Sequence, residues 1–534
     1  MFMARAMWCS VWRLPSSPLT HTPWVSARVR GGEVFMCMMS LMLRLTCAAA
    51  ALTACSDHHA MDHTGGGGEA AFEVAFPEVI ALPPTEGPFE ALTAQDTAPS
   101  PEVVEVSLEA RAAEVEVAPG WRVSMWTYNG SLPGPTIEAR VGDTVRVRFR
   151  NGLPEATTIH WHGLRVPASM DGTHLAHTPI EPGAEFVYEF VVPEAGTFWY
   201  HPHLRSQEQV ERGLYGALIV RAPGEPEAHT ERVVVLDDLL VREDRSLAEF
   251  SSLQDMSGRQ GNLILVNGKA HPIAPMTPGA LHRFRFINAA NARFFRLSLP
   301  GYRLVQIGTD GGLMSAPLEV SELLLVPGER ADLLAVATEG AAQAVDWLSL
   351  PYERGHGSGQ APPVALFQAR VSGDPPPARP LAPPEALPLI EGLPEPTLRR
   401  LITLEESVSH SAHSAHSAQE GAGVQEGAGE VSFSINGQVY PNITPLQGKL
   451  GDVEEWSIKN TAEMDHPFHL HGFRFQVVGG EGPRAWRDTI NIPAKQTVSF
   501  RVRLEDHPGS WMFHCHILEH AERGMVGELV VLEE

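Results

Sequence analysis

The chain has 534 residues, 43% of them apolar, and a formal charge of −24. This is the composition of a globular protein, and no stretch after the first 55 residues is apolar for long enough to cross a bilayer as a helix. Residues 1–55 carry five Arg against one Glu, leaving 35 basic and 63 acidic side chains, or −28, on the remainder; such an acidic surface serves solubility and argues against nucleic acid as a partner.

Four of the five cysteines, Cys9, Cys37, Cys47 and Cys55, lie in the first 55 residues. There Arg44 precedes a short apolar run from Leu45 to Ala54, the pattern of an export signal rather than a membrane span. Leu52-Thr53-Ala54-Cys55 resembles a bacterial lipobox, which implies cleavage before Cys55 and lipid attached to it. Residues 1–54 are therefore read as leader. Residues 1–35 fit no signal pattern and are set aside as preceding a start at Met36 or Met39. The expected location is the periplasm or cell envelope, with the lipid as the only tie to a membrane. Residues 55–100 are rich in Gly, Pro, Ala and Glu without helix or strand periodicity, and are expected to form a flexible tether.

The body reads as all-β. Alternating stretches such as Val145–Phe149, short Val-rich runs and frequent Gly and Pro give the signal. An internal repeat organises it. A Gly, a half-buried strand and an Asn nine residues after the Gly recur in GDTVRVRFRN (142–151), GALHRFRFIN (279–288) and GDVEEWSIKN (451–460). Three consecutive β-sandwich domains follow, expected at 101–223, 224–380 and 381–534, with Pro-rich stretches at their junctions.

The first and third copies share more. HWHG (160–163) matches HLHG (469–472), GTFWYHPH (196–203) matches GSWMFHCH (509–516), and ERGLYGALIV (211–220) matches ERGMVGELVV (522–531). The second copy has no HxH pair. On a strand, residues i and i+2 point the same way, so each pair offers two imidazoles to one point. The four pairs are His160/His162, His201/His203, His469/His471 and His514/His516. Brought together by the symmetry of domains 1 and 3, they suit a cluster of two or three first-row metal ions.

If His514 and His516 face that cluster, Cys515 must face the other side of its strand. It is the one cysteine after residue 55. His520 and Met525 follow it, and His466 opens HPFHLHG. Two imidazoles, a thiolate and a weak axial thioether make the ligand set of a blue copper site. The HCH backbone would then join a one-electron acceptor to a multinuclear cluster.

HWHG, HPH, HPFHLHG and HCHILEHAERGM together resemble the four motifs of the multicopper oxidases, over about residues 105–534. The second more often reads HSH, but Pro202 is not a ligand position. The resemblance implies three cupredoxin-like domains and four copper ions. It assigns His466, Cys515, His520 and Met525 to the type 1 copper and His160 and His469 to the type 2 copper. His162, His201, His203, His471, His514 and His516 fall to the type 3 pair. The implied activity is laccase-like: four one-electron oxidations of a phenolic or other reducing donor, coupled to reduction of O2 to water.

Asp171, after HWHG, and Glu519, inside HCHILEH, stand where similar bacterial oxidases have proton-relay acids; orienting a ligand histidine is the other role open to each. Donor electrons are expected to arrive at an exposed edge of His466 or His520. Cuprous oxidases often carry Met-rich insertions, whereas only nine Met follow Cys55, all scattered, which favours organic donors. The alternatives of the same fold are a cuprous or other metal-ion oxidase and a copper-resistance protein that binds copper. A copper nitrite reductase would not need eight cluster histidines, and a copper-free relative would have lost ligands. The His-rich stretches 57–63 and 410–417 read as low-complexity polar sequence. Oligomeric state has no signal in the sequence.

Overall fold

The protein is described here from a computed structural model, which covers residues 76–250, 256–355, 358–372, 379–409 and 430–533. The leader, Cys55 and the His-rich stretches 57–63 and 410–417 lie outside these residues.

Three pairs of sheets follow one another along the chain. The first pairs a four-stranded sheet containing Val103–Ala118 and Thr144–Asn151 with another containing His160–His162 and Gly196–His201. The second pairs a six-stranded with a five-stranded sheet, and the third pairs two five-stranded sheets. Each pair encloses its own apolar core. In all three, the repeat strand lies parallel to the first strand of its unit: Thr144–Asn151 with Val103–Ala118, His282–Asn288 with Thr230–Leu239, and Val453–Asn460 with Leu398–Ser409. These are the three cupredoxin-like sandwiches expected for the fold class.

One alternating pattern serves two purposes. In the first repeat strand Val145, Val147 and Phe149 are buried, while Arg146, Arg148 and Arg150 reach outward to Glu105 and Glu109. In the second, the corresponding outward residues Arg283 and Arg285 are 2% and 1% exposed. They are held by Asp332, Glu225 and Glu231, and Arg285 also donates to Thr197 of the first sandwich. The outward face of the middle sandwich is thus an internal seam.

The repeat asparagine closes the corner after each strand. Asn151 donates to the carbonyls of Glu155 and Ile180 and accepts from the Leu153 amide. Asn288 does the same with Arg293, Leu325 and Ala290, and Asn460 with Met464, Ile492 and Ala462. Three buried backbone groups depend on one side chain, and no other residue type offers two donors and an acceptor at that length.

The N-terminal stretch departs from expectation. Residues 76–100, read as part of a flexible tether, are docked as an extended strap. The Ile80 amide donates to Asn262, Thr85 bridges to Pro272, Thr93 bridges to Thr136, and Phe89 is buried in the middle core. Strand periodicity is absent because isolated anchors, not a continuous face, hold this segment. No helix among the described residues is long and apolar enough to cross a membrane.

Asn288→Ala leaves two carbonyls and one amide without partners in the core, a cost of about 3 kcal/mol at roughly 1 kcal/mol for each lost bond. Calorimetry should show a lower Tm with copper content unchanged; an unaltered Tm would remove the corner role.

Candidate metal centres

The strand Gly509–Cys515 runs between Val526–Leu532 and His466–Leu470, pairing Cys515 with Phe468 and His514 with His469. Cys515 turns into the third core, where its Sγ lies 3.5 Å from His466 Nδ1 and 3.7 Å from His520 Nδ1. Met525 is buried in the same core, and its carbonyl accepts from the Cys515 amide. Phe433 stacks on the His520 ring at 3.9 Å. Of the predicted set, His466, Cys515 and His520 are therefore gathered in one place, with Met525 in the same core. Burial pushes the Cys515 thiol well above the ordinary thiol range, so a bound cation is what would make it a thiolate.

On the opposite side of the strand the eight predicted cluster histidines converge. His162 stacks on His469 at 3.8 Å and His160 on His471 at 3.9 Å, so the first HxH pair of the first sandwich lies against its counterpart in the third. His514 Nε2 is 3.1 Å from His471 Nε2 and 3.3 Å from His203 Nε2. His516 packs near His162 and His201. Burial first, and neighbouring imidazoles second, push His162, His203 and His516 well below the ordinary histidine range, and burial carries His514 down to about 3. These rings are neutral, the state in which imidazole ligates metal.

One nitrogen of most rings is tied outward. Nδ1 of His160, His201, His469 and His514 meets the carbonyl of Asp171, Pro202, Asp488 and Cys515 respectively, and His471 Nδ1 meets Asp171 Oδ2. The inward Nε2 atoms of His160, His201 and His469 are buried and have no partner. His162 is reversed, with Nε2 toward Asp488 and Nδ1 without a partner. Buried polar atoms without partners are costly, and a ring of them around one point is what a metal cluster would satisfy.

Asp171 touches two of these histidines, with its carboxylate 2.9 Å from His471 Nδ1 and 3.4 Å from His160 Nδ1. Burial alone would raise its pKa, but the His471 and His160 contacts outweigh that and hold the group well below the usual carboxylate range. Glu519 accepts from Asn291 through Oε1, while its buried Oε2 has no partner; burial pushes it up to about 7.

The sequence reading missed Asp488 and Arg330. Asp488 contacts His162, Thr489 and His469. Arg330, from the sandwich with no HxH pair, grips both Asp488 oxygens and donates to the Thr197 carbonyl of the first sandwich. All three sandwiches therefore meet at one guanidinium. A Cβ on Gly163, at φ +88, would stand 2.2 Å from Arg330 Nη2, which explains the Gly in HWHG.

The expected exposed edge of His466 or His520 is not found. Both rings are 0% exposed, and His520 Nε2 meets the Met256 carbonyl at 3.2 Å. The middle sandwich supplies this cover, and a ligand motif in the third sandwich carries no trace of it.

Sequence profiles described as multicopper oxidase match residues 109–225, 231–354 and 408–534. The chain is 30% identical to the multicopper oxidase MmcO of Mycobacterium tuberculosis, over 80% of this chain and 86% of that one. It is 28% identical to the laccase of Bacillus subtilis, over 75% of this chain and 89% of that one. Among solved structures, a Campylobacter jejuni multicopper oxidase described as a metallo-oxidase superposes with a TM-score of 0.73 at 30% identity, covering 87% of this chain and 99% of that one. A laccase-like multicopper oxidase from Ochrobactrum, described as acting on lignin model compounds and lignosulfonate, gives a TM-score of 0.69 at 27% identity, covering 83% and 100%.

The chain belongs to the multicopper oxidases. It is a laccase-like copper oxidoreductase, and the cofactor of its family is four copper ions, one type 1, one type 2 and a type 3 pair.

Gly163→Ala should displace Arg330 from Asp488. The expected result is partial loss of type 2 and type 3 copper, read by metal analysis and electron paramagnetic resonance, with the thiolate-to-copper colour retained. Full copper loading and unchanged spectra would show that the Arg330 contact does not hold the cluster.

Proposed function

We propose that twelve residues of this chain bind the copper ions in the division that the four motifs imply: His466, Cys515, His520 and Met525 at type 1; His160 and His469 at type 2; and His162, His201, His203, His471, His514 and His516 at type 3. The supporting observation is the split of HCH, whose sulfur lies with His466 and His520 while its two imidazoles lie with the other six. When bound, copper supplies reversible one-electron chemistry at the thiolate site and the means to reduce O2 at the histidine cluster. The net reaction takes one electron and one proton from each of four phenolic donors and delivers them to one O2, giving two waters.

The chain's own residues position and protonate. Asp171 fixes the rings of His471 and His160 through their Nδ1 atoms, and Asp488 holds His162 through Nε2 and His469 through Nδ1. Glu519 and Asp171 are the acids assigned to proton delivery. Glu519 suits that task through its place in the chain between His516 and His520, with one carboxyl oxygen on Asn291 and the other without a partner. Phenolic donors are favoured by the scattered methionines and by the activity named for the Ochrobactrum relative. Oxidation of metal ions, suggested by the Campylobacter relative's description, is the second reading. We further assign export, with lipid on Cys55, on the lipobox-like sequence.

Cys515→Ser should abolish the intense visible absorption, lower copper content by about one ion per chain and stop turnover of 2,6-dimethoxyphenol. Colour surviving that change would remove the type 1 assignment. Glu519→Gln should slow O2 reduction by about 10²-fold, in the range for loss of a positioned proton donor, while anaerobic bleaching by the donor keeps its rate. Unchanged O2 reduction would eliminate the relay role. Labelled palmitate should be incorporated by the native chain in a bacterial host and not by Cys55→Ala; equal labelling would exclude the lipid site.

A further inference from the structure

Beside the thiolate site lies a cavity of about 840 Å³, bounded by the strap at 76–82 and by the loop at 358–365. That volume suits a small organic molecule. The Arg354 guanidinium lines it and is 2% exposed. Nη2 donates to the Ser257 carbonyl, and Nε and Nη2 both meet the side-chain oxygen of Gln260 when that amide is turned to suit them. Nη1 has no partner. Phe76 and Phe294 flank the group, with centroids 5.7 and 5.4 Å from its central carbon.

A buried cation ordinarily has a carboxylate beside it. Among the described residues Arg354 forms no ion pair, and the nearby acids are engaged elsewhere. Asp465 accepts from Tyr352, Asn491 and the Ala494 amide, and Glu519 accepts from Asn291. The other cavity arginine, Arg293, is committed to Asp238 and the Gly261 carbonyl. Among the described residues Glu78 is the one carboxylate on the cavity wall, and it is exposed.

The cavity is also wired to both type 1 histidines. The Asp465 amide donates to the Arg354 carbonyl, and His466 is the next residue. Tyr352, stacked on Phe294 at 5.8 Å, donates to the Asp465 carboxylate. Ser257, which receives Nη2, follows Met256, whose carbonyl meets His520 Nε2.

From these contacts we infer that the cavity is the donor site and that it selects aromatic donors bearing a carboxylate, with Arg354 binding the carboxylate and the Phe76 and Phe294 rings packing against the donor's ring. The inference rests on the type 1 assignment above for its redox role, but not for the binding itself. A bound phenolic donor would give up one electron to the copper that His466, Cys515 and His520 would hold and its phenolic proton to solvent, leaving a phenoxyl radical.

The test uses copper-loaded full-length protein. Calorimetric titration with 4-methoxybenzoate, which this site would bind without oxidising, should show saturable binding at least about tenfold tighter than acetate or anisole, the worth of one charged hydrogen-bond pair. Arg354→Gln should weaken that binding by about tenfold. It should also lower the kcat/KM ratio of 4-hydroxy-3,5-dimethoxybenzoate to 2,6-dimethoxyphenol by a similar factor, mostly through KM. If Arg354→Gln does not fold, competitive inhibition of the native enzyme by 4-methoxybenzoate but not by anisole carries the test. Acetate binding as tightly as 4-methoxybenzoate, no binding of either, or an unchanged donor ratio would overturn the proposal. Tight binding without oxidation of any donor would instead overturn the oxidase reading and leave the anion site standing.

Discussion

The arrangement depends on the alternation of side chains along an extended strand. Successive Cβ atoms leave opposite faces, so a cysteine between two histidines cannot share a centre with them. In HCH the sulfur enters the core of the third sandwich and the imidazoles enter the seam with the first. The link between the two groups is main chain, fixed by the ladders to Val526–Leu532 and His466–Leu470 rather than by side-chain rotamers. Insertion of one residue would exchange the two faces, leaving no intermediate arrangement.

That seam is costly to build without an ion. Eight imidazoles crowd together, several with an inward nitrogen that no protein group satisfies. The protein tolerates this because most rings have their outward nitrogen bonded and because Arg330 ties the first, second and third sandwiches at Asp488. Metal binding then satisfies the remaining atoms, so loading and stability are coupled. The middle sandwich, which has no HxH pair, is the clamp that makes a shared site between its neighbours possible.

Much of this was legible in the sequence, because the ligand motifs are local and the repeat sets their register. The three-copy fold followed from a Gly and an Asn at fixed spacing, and the Asn proved to be the corner clamp in each copy. What was not legible depends on contacts distant in sequence. Asp488 lies 19 residues beyond its histidine partner His469, Arg330 reaches it from another sandwich, and no motif marks either. The strap at 76–100 failed for a different reason: its anchors, such as Phe89, are single residues in a Pro-rich stretch, which carry no periodic signal.

The expected exposed histidine edge failed for the same non-local reason, and the failure bears on how such enzymes differ. The twelve proposed ligands lie on two sandwiches, and most of the histidines are packed and hydrogen-bonded from behind, which leaves them little freedom. The cover over His520 and His466 is built from other parts of the chain, at Met256–Gln260, Arg354 and the strap. Those segments meet His520 and Asp465, the residue before His466, through the main-chain carbonyls of Met256 and Arg354, so their side chains can differ in charge and shape while those contacts stay. Donor choice is therefore separable from redox chemistry in this fold, because the donor meets the middle sandwich while electrons leave through the third.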